Sequence, residues 1–594
     1  MRLVDLRLLE GPNLYRLEPA ARIELSVGRR RSWYGERLPG AHALVELGAR
    51  VRPTDAPGPV RDLAAWVRRL HRLTAADAWL AGETGPGGRP RRSLPIGIHR
   101  SSEPGHWTVA FPWREHERAH DLAEMAWRLT EAGLDPRTTR VRRSRSLRRA
   151  LARIRGAGTT PPTWITDERR RVPVVSISGT NGKSTTTRMI AAIMAAAGRR
   201  VGATTSDGVL VDGRLVDPGD WTGPGGARLV LDRVDIDLAV LETARGGILL
   251  RGVGYQSNEV SVLTNVSADH LDLQGIHTLP ELAEVKAVIA RITRQGGTVV
   301  LNADDPLVAA LARRVRAPVT YFSMAGPDGP VVRRHLRRGG RAIVLDGGWI
   351  VDCGPSGRQR LLAAAEAPAT LHGLAAHNVA NALAAAAAAL ALGATAEQVA
   401  EGLRGFRPSA EEAPGRMNLY RLGNRVVIVD YAHNEAGVAV LLDVAAGIAG
   451  GAAGRTRPVT LILGTAGDRP DDALRAIARL AGRRADHVVL KETISYLRGR
   501  SRESILGEFR AGLAEAGVDP ATVPVHESEA EALESVLAHG NGHGANEPAV
   551  VALMCHEDRV GVQALLARLG ARPVDAAELP ELVPRLQGRP YNVR

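Results

Sequence analysis

The stretch that decides the fold is VPVVSISGTNGKSTTTRMI, residues 172–190. Its first half is an apolar run bounded by Pro and Gly, which reads as a buried strand. Its second half continues into the helical TTRMIAAIMAAAG. Between them lies GTNGKST, a glycine-rich corner from strand to helix. Gly179 and Gly182 let the backbone wrap closely around an anion, and the first amides of the helix, with the positive end of its dipole, face that anion. Lys183 has the reach for β- and γ-phosphates and the Ser184 hydroxyl can ligate Mg²⁺, with Thr180, Asn181 and Thr185 completing the loop. The glycine spacing is shorter than in the common phosphate-loop pattern, but the strand–loop–helix context is the required one.

Lysine usage singles out the same position. The chain has 78 Lys plus Arg, of which only Lys183, Lys286 and Lys491 are lysines. Lysine is a compact charge that can lose its proton; arginine is a planar fork that effectively cannot. A lysine spared by so strong a bias is expected where a guanidinium would not fit or could not react, with chance as the plain alternative at each site.

Working outward, 594 residues are too many for one core. Three segments are expected: 1–158, mixing short strands (ARIELSVG, HALVELGARV) with helices; 159–408, where strands and amphipathic helices alternate (DIDLAVLE, VSVLTNV, GGTVVLN); and 409–594, which repeats the alternation (NRVVIVDYA, PVTLILG, ADHVVLK, EPAVVALMC). That pattern predicts α/β architecture with parallel sheets covered by helices. The two cysteines lie far apart in no ligand spacing, the N-terminus carries charges among its apolar residues, and the longest apolar run, NALAAAAAALALGA, is too short to span a bilayer. A cytoplasmic location and no membrane partner are expected. The net charge of +14 invites a nucleic-acid reading. However, the densest basic run, RTTRVRRSRSLRRALARIRG at 137–156, has no interleaved aromatics and precedes the linker-like GTTPP. It reads as a solvated arginine-rich helix, with binding of an acidic polymer as the sharper alternative.

Two further constellations belong beside the glycine loop. Glu242 ends an apolar strand in DIDLAVLETARGGILLRG, and strand carboxyl ends line the ligand crevice of a parallel sheet, so its carboxylate can hold Mg²⁺. Arg245 with Gly246 and Gly247 then forms a positive turn suited to an acidic substrate. In VLTNVSADHLD, Asp269 and His270 follow another strand, and Lys286 lies in the helical LPELAEVKAVIARI among apolar positions.

GTNGKST, TNVSADHLD with the lysine of EVKAV, LNADDP, HNVANALAA and DYAHN, in this order, resemble the Mur ligases. Those are ATP-dependent amide ligases that activate a carboxylate as an acyl phosphate for attack by an amine. Within that family the chain is most similar to the ligase half of cyanophycin synthetases, through LEGPNLY, GATTSDGVLVDGRLVDPGDWTGPGGAR, LETARGGIL, APGRMNLY, VIVDYAHNEAG and KETISYLRGR. The resemblance implies a P-loop central domain with a mostly parallel sheet, a Rossmann-like C-terminal domain and an N-terminal α+β domain. It implies ATP and two Mg²⁺ sites, with Ser184, Glu242, His270 and Lys286 as metal ligands and Lys286 as a carbamate. It implies nucleotide contacts at Asn302, Asn378, Asn381, Arg416 and Asp430, and places His433 and Lys491 in segments near substrate. A surface ion pair with Glu492 is the plain alternative for Lys491.

The resemblance also has a gap. About twenty residues separate the N-terminal segment from Gly179, too few for the ATP-grasp domain of cyanophycin synthetases. The expected activity is therefore joining an amino acid or amine such as arginine to an acidic Asp- or Glu-like acceptor, with a separate ATP-grasp enzyme as a partner and a homo-oligomer left open. A non-catalytic nucleotide-binding subunit of a partner ligase is the alternative; it would have no need of the His270 and Lys286 positions. A nucleic-acid-associated P-loop ATPase fits less well, for want of a separate acidic metal-binding pair.

Overall fold

The computed structural model describes residues 1–27, 50–74, 94–101, 103–138, 145–269, 271, 273–450, 457–539 and 547–583. Among them, three sheets organise five hydrophobic clusters, one on the first sheet and two on each of the others. A four-stranded antiparallel sheet carries Ala20–Ser26 and His106–Pro112 at its centre, with the helices Gly58–Leu73 and His116–Glu131 packed on it through Trp66, Leu70, Leu122 and Trp127. Most of the expected strand HALVELGARV lies outside the described residues. The basic run ends in a helix, Arg145–Gly156, whose Leu147, Ala150 and Ile154 are buried in this core. Its Arg148 and Arg149 face solvent, and Arg153 bonds to Asp121 and Glu124.

The second sheet has eleven strands. From Arg341–Asp346 across to Val201–Thr204 every neighbouring pair is parallel, and antiparallel hairpins extend both edges. Strand Val174–Ser178 sits inside it, between Asn258–Leu263 and Leu238–Glu242. All five of its residues are buried, as both faces of such a sheet are covered. One face packs helix Lys183–Ala196 and the alanine-rich helix Ala376–Ala391. The long alanine run is thus a core helix, its small side chains letting neighbours approach. No helix among the described residues is long and apolar enough to cross a membrane.

The third sheet has seven strands, with Arg425–Asp430, Val550–Met554, Val459–Leu463 and His487–Lys491 adjacent and parallel, and helices on both faces. Two parallel sheets therefore present their strand carboxyl ends, where ligands of such folds bind. The N-terminal segment docks beside the first of them. Glu10 N donates to Arg251 O (2.6 Å) and Val253 N to Pro12 O (2.7 Å). A Cβ on Gly11 would stand 1.9 Å from Val253 O, so LEGPNLY needs its glycine for this contact.

Candidate active site

The corner after Ser178 is built around two glycines that could not be replaced cheaply. Gly179 has φ 154° and Gly182 φ 83°, and a Cβ at the first would meet Thr264 Oγ1 at 1.9 Å, at the second Asn381 Oδ1 at 2.3 Å. Neighbouring strand ends hold the loop: Thr180 N donates to Asn265 O (2.9 Å), Asn181 N to Asn265 Oδ1 (2.9 Å), and Thr264 Oγ1 to Asn181 O (2.7 Å). Lys183 opens the helix and its Nζ donates to Thr180 O at 2.7 Å. Next to it, Ser184 Oγ donates to Glu242 Oε2 (2.7 Å) and lies 3.2 Å from Ser206 Oγ. Thr185 is buried in the same turn.

Glu242 is 3 % exposed. Burial raises its carboxyl above the usual range, against the pull of Lys183, the Ser184 hydroxyl and Arg416. Lys286 is 5 % exposed, and its Nζ donates to Gly179 O at 2.6 Å. The expected helix is interrupted at Ala287, so Lys286 ends its first piece, Leu279–Lys286, pointing under the loop. Burial, reinforced by Lys183, pushes its amine well below the ordinary lysine range. Asp269, Arg245 and Glu242 also act on its charge. His270 lies outside the described residues.

Other positions approach from further elements. Arg245 starts the helix Arg245–Leu250, its Nη1 donates to Leu273 O (3.3 Å), and Asp269 and Asp468 act on its charge. Open space surrounds the place where a Cβ on Gly246 would be. From the third sheet come His433, with Nε2 3.6 Å from Asp269 Oδ2, and Asn434, whose Nδ2 donates to Asn181 Oδ1 (3.1 Å). Arg469 Nη1 donates to Asp269 Oδ1 at 2.6 Å. Arg416 Nη2 donates to Ser206 Oγ (3.1 Å), its guanidinium lies 4.5 Å from the Tyr431 ring centre, and its Nη1 is buried without a hydrogen-bond partner. Asp430, whose carboxyl burial raises, accepts from Met417 N (2.9 Å) and so orients the residue after Arg416.

Three asparagines lie against the loop or the residues that support it. Asn381 accepts from Thr186 Oγ1 (3.3 Å) and donates to Asn378 Oδ1 (3.1 Å), while Asn378 donates to Ala369 O (2.8 Å). Asn302 donates to Thr264 O (2.8 Å), bracing the residue that packs on Gly179. Their partners are protein groups.

Lys491 is a correction. It forms no surface pair with Glu492, whose carboxylate bonds to Arg502. Its side chain is fully buried, with Nζ 2.6 Å from Glu529 Oε1 and 3.1 Å from His556 Nδ1. Glu529 also accepts from the amides of His556, Glu557 and Asp558. His556 Nε2 lies 2.8 Å from Ala432 O, so the network props the loop carrying His433 and Asn434. Its register gave no hint of this, because Glu529 and His556 are 38 and 65 positions away. Asp207, Arg188 and Arg559 also went unread; Asp207 lies within the GATTSDG segment, where only the resemblance marked it.

Residues 177–389 match the Mur ligase middle domain and residues 415–547 the Mur ligase glutamate ligase domain. The UDP-N-acetylmuramoyl-L-alanyl-D-glutamate–2,6-diaminopimelate ligase of Geobacillus thermodenitrificans (strain NG80-2) is 30% identical over 418 residues, 67% of this chain and 78% of that relative. The chain belongs to the Mur ligase family. Among its relatives, the cyanophycin synthetase of Synechocystis sp. is 43% identical over 331 residues, which are 56% of this Mur ligase and 37% of that protein. The match thus spans a little over a third of the cyanophycin synthetase. A folylpolyglutamate synthase of Mycobacterium tuberculosis, solved with ADP and AMPPCP, is 20% identical, with a TM-score of 0.48 over 68% of this chain and 92% of that one.

Proposed function

We propose that the chain is an ADP-forming carboxylate–amine ligase that uses ATP to activate an acidic acceptor as an acyl phosphate. The observation that carries this reading is the gathering of Lys183, Ser184, Glu242 and Lys286 around one four-residue loop, with Ser184 Oγ 2.7 Å from Glu242 and Lys286 Nζ 2.6 Å from Gly179 O. Attack of a carboxylate on a γ-phosphate brings two anions together, and stabilisation of that charge is the main catalytic task. Lys183, the loop amides and Arg416, with its unpartnered buried Nη1, supply positive groups on the phosphate side. Arg245, beside the open space at Gly246, suits the acceptor's carboxylate.

The Ser184 hydroxyl and the Glu242 carboxylate fit Mg²⁺, a hard cation that takes oxygen ligands, and a carbamate on Lys286 would add oxygens. Ser184 and Glu242 would hold one ion, and His270 with Lys286 a second; the ions would supply charge neutralisation and orient phosphate oxygens. Lys286 fits a carbamate because burial favours the neutral amine, the form that captures CO₂, and because an anion there would face Lys183 and Arg245. Asn302, Asn378, Asn381 and Asp430 then serve the nucleotide site by bracing its walls. His433, opposite Asp269, is read as a substrate-side residue. We place the domain division at about 158 and 408; the presence of a separate sheet in each segment supports it.

An acidic Asp- or Glu-like acceptor and an amino-acid donor such as arginine are the leading substrates, on the cyanophycin synthetase likeness. Incubation of the chain with MgATP, Asp-rich peptides and a panel of amines, read by ADP release and product mass, tests this. ADP formed together with a condensed product supports it; no turnover across the whole acceptor-by-amine matrix would sink it.

A further inference from the structure

The turn Thr205–Gly208 joins three parts of the molecule. Its Asp207 has a 6 % exposed carboxylate. One oxygen, Oδ2, accepts from Arg188 Nη2 at 3.2 Å, on the helix that begins at Lys183. The other, Oδ1, accepts from Arg559 Nη1 at 2.5 Å, on the helix Arg559–Arg568 of the seven-stranded body, 352 positions away. Each arginine also grips the connection between the two sheets: Arg188 Nη1 donates to Glu412 O (2.6 Å) and Arg559 Nη1 to Pro414 O (3.1 Å). The turn itself is fixed by Thr205 Oγ1, which accepts from the amides of Asp207 (3.2 Å) and Gly208 (3.3 Å). Next door, Ser206 Oγ lies between Ser184 Oγ (3.2 Å) and Arg416 Nη2 (3.1 Å). Two polar links, Arg559 to Asp207 and Ser206 through Ser184 to Glu242, are thus joined by the peptide bond between residues 206 and 207 of this one turn.

We infer that Asp207 is a positioning residue, a latch that holds the C-terminal body closed on the loop helix and transmits that closure to Ser184. The inference deepens the ligase reading and rests on it for the nucleotide. The physical reason is charge. Arg188, Arg416 and Arg559 all act on this one carboxylate. With its charge removed, three guanidiniums from both bodies face one another in a partly buried space, and like charges there repel strongly. A bound polyphosphate would take up part of the balancing role, so the latch matters most before nucleotide arrives.

The test uses the full chain and four variants: Asp207→Asn, Arg559→Met, both together, and Lys183→Ala. Small-angle X-ray scattering without nucleotide should give a larger radius of gyration for each latch single variant, and no further increase for the double. Calorimetry with Mg-AMPPNP should show affinity lower by about tenfold in each single variant and no lower in the double, as expected for two ends of one coupling. Because Asp207 and Arg559 belong to different bodies, a shared, non-additive response does not arise from one body misfolding. Unchanged scattering in both single variants, or losses that add in the double, would overturn the latch. If Lys183→Ala binds Mg-AMPPNP as the wild type does, the phosphate-loop reading fails, while the scattering still decides the latch on its own.

Discussion

At the scale of single residues, the three lysines turn out to be three different physical objects. Lys183 is a half-buried cation over its own loop, Lys286 a buried amine, and Lys491 a buried ion-pair partner. Lys286 has its folded pKa depressed by burial. The native state therefore disfavours its protonated form, and that penalty is felt at every pH below its ordinary value, growing as pH falls towards the folded value. Lys286→Met should accordingly unfold at a higher temperature than the unmodified wild type at pH 7 in CO₂-free buffer, yet lose about 10²-fold or more in ADP release. Calorimetry and a coupled ADP assay check both halves, and intact-mass spectrometry in bicarbonate should show one added CO₂ on the wild type alone. Lys491 predicts the opposite. Burial works against ionisation of Glu529, but Lys491 and three backbone amides outweigh it and lower the carboxyl to about 2. That stability is present above the ordinary carboxylate pKa and is lost as pH falls from about 4.5 towards about 2. Lys491→Met should cost about 3–5 kcal/mol at pH 7, because it strands a buried carboxylate. In urea melts the loss should shrink on acidification; an equal loss at pH 7 and pH 3 would refute the pairing.

At the scale of elements, the strand-to-helix corner is where local sequence and tertiary contact agree. Gly182 is left-handed for reasons a reader of GTNGKST can anticipate, but its neighbour Asn381 comes from a helix two hundred residues later. Gly182→Ala thus combines backbone strain, about 1–2 kcal/mol, with a collision against Asn381. It should lower the melting temperature measurably and abolish Mg-AMPPNP binding in calorimetry, whereas Gly246→Ala, with open space around it, should leave the melting temperature within error. The strand signals were legible because buried parallel strands are short continuous apolar runs, and all seven quoted runs from DIDLAVLE to EPAVVALMC became strands of the two large sheets. The break at Ala287 was not legible, since LPELAEVKAVIARI keeps helical periodicity straight through it.

At the scale of the whole molecule, the candidate site is assembled from pieces that meet only when the bodies are in contact. Asn434 reaches Asn181, Arg469 reaches Asp269, and Arg559 reaches Asp207. The N-terminal body is attached through a different kind of contact, the close approach of Gly11 to Val253. Gly11→Ala must push that backbone away, since the atom it would meet first is the Val253 carbonyl oxygen. Limited trypsin digestion should then cut the arginine-rich segment before GTTPP at least several-fold faster, with the fragment from about residue 158 onward retaining its melting transition. Cleavage at the wild-type rate would mean that the docking tolerates a side chain there.

The primary sequence by itself determined the local chemistry. It set which runs become buried strands, where a chain corner can wrap an anion, and that a lysine was retained at three places. These depend on periodicity, on the missing Cβ of glycine and on side-chain type, all of which act within a few residues. Only the tertiary structure decided what Lys491 does, that Asn378 and Asn381 face protein groups, and that Asp207 lies between arginines of two bodies. Those outcomes depend on partners brought together over tens to hundreds of positions, and the energy of a buried charge is set by those partners rather than by its neighbours in sequence.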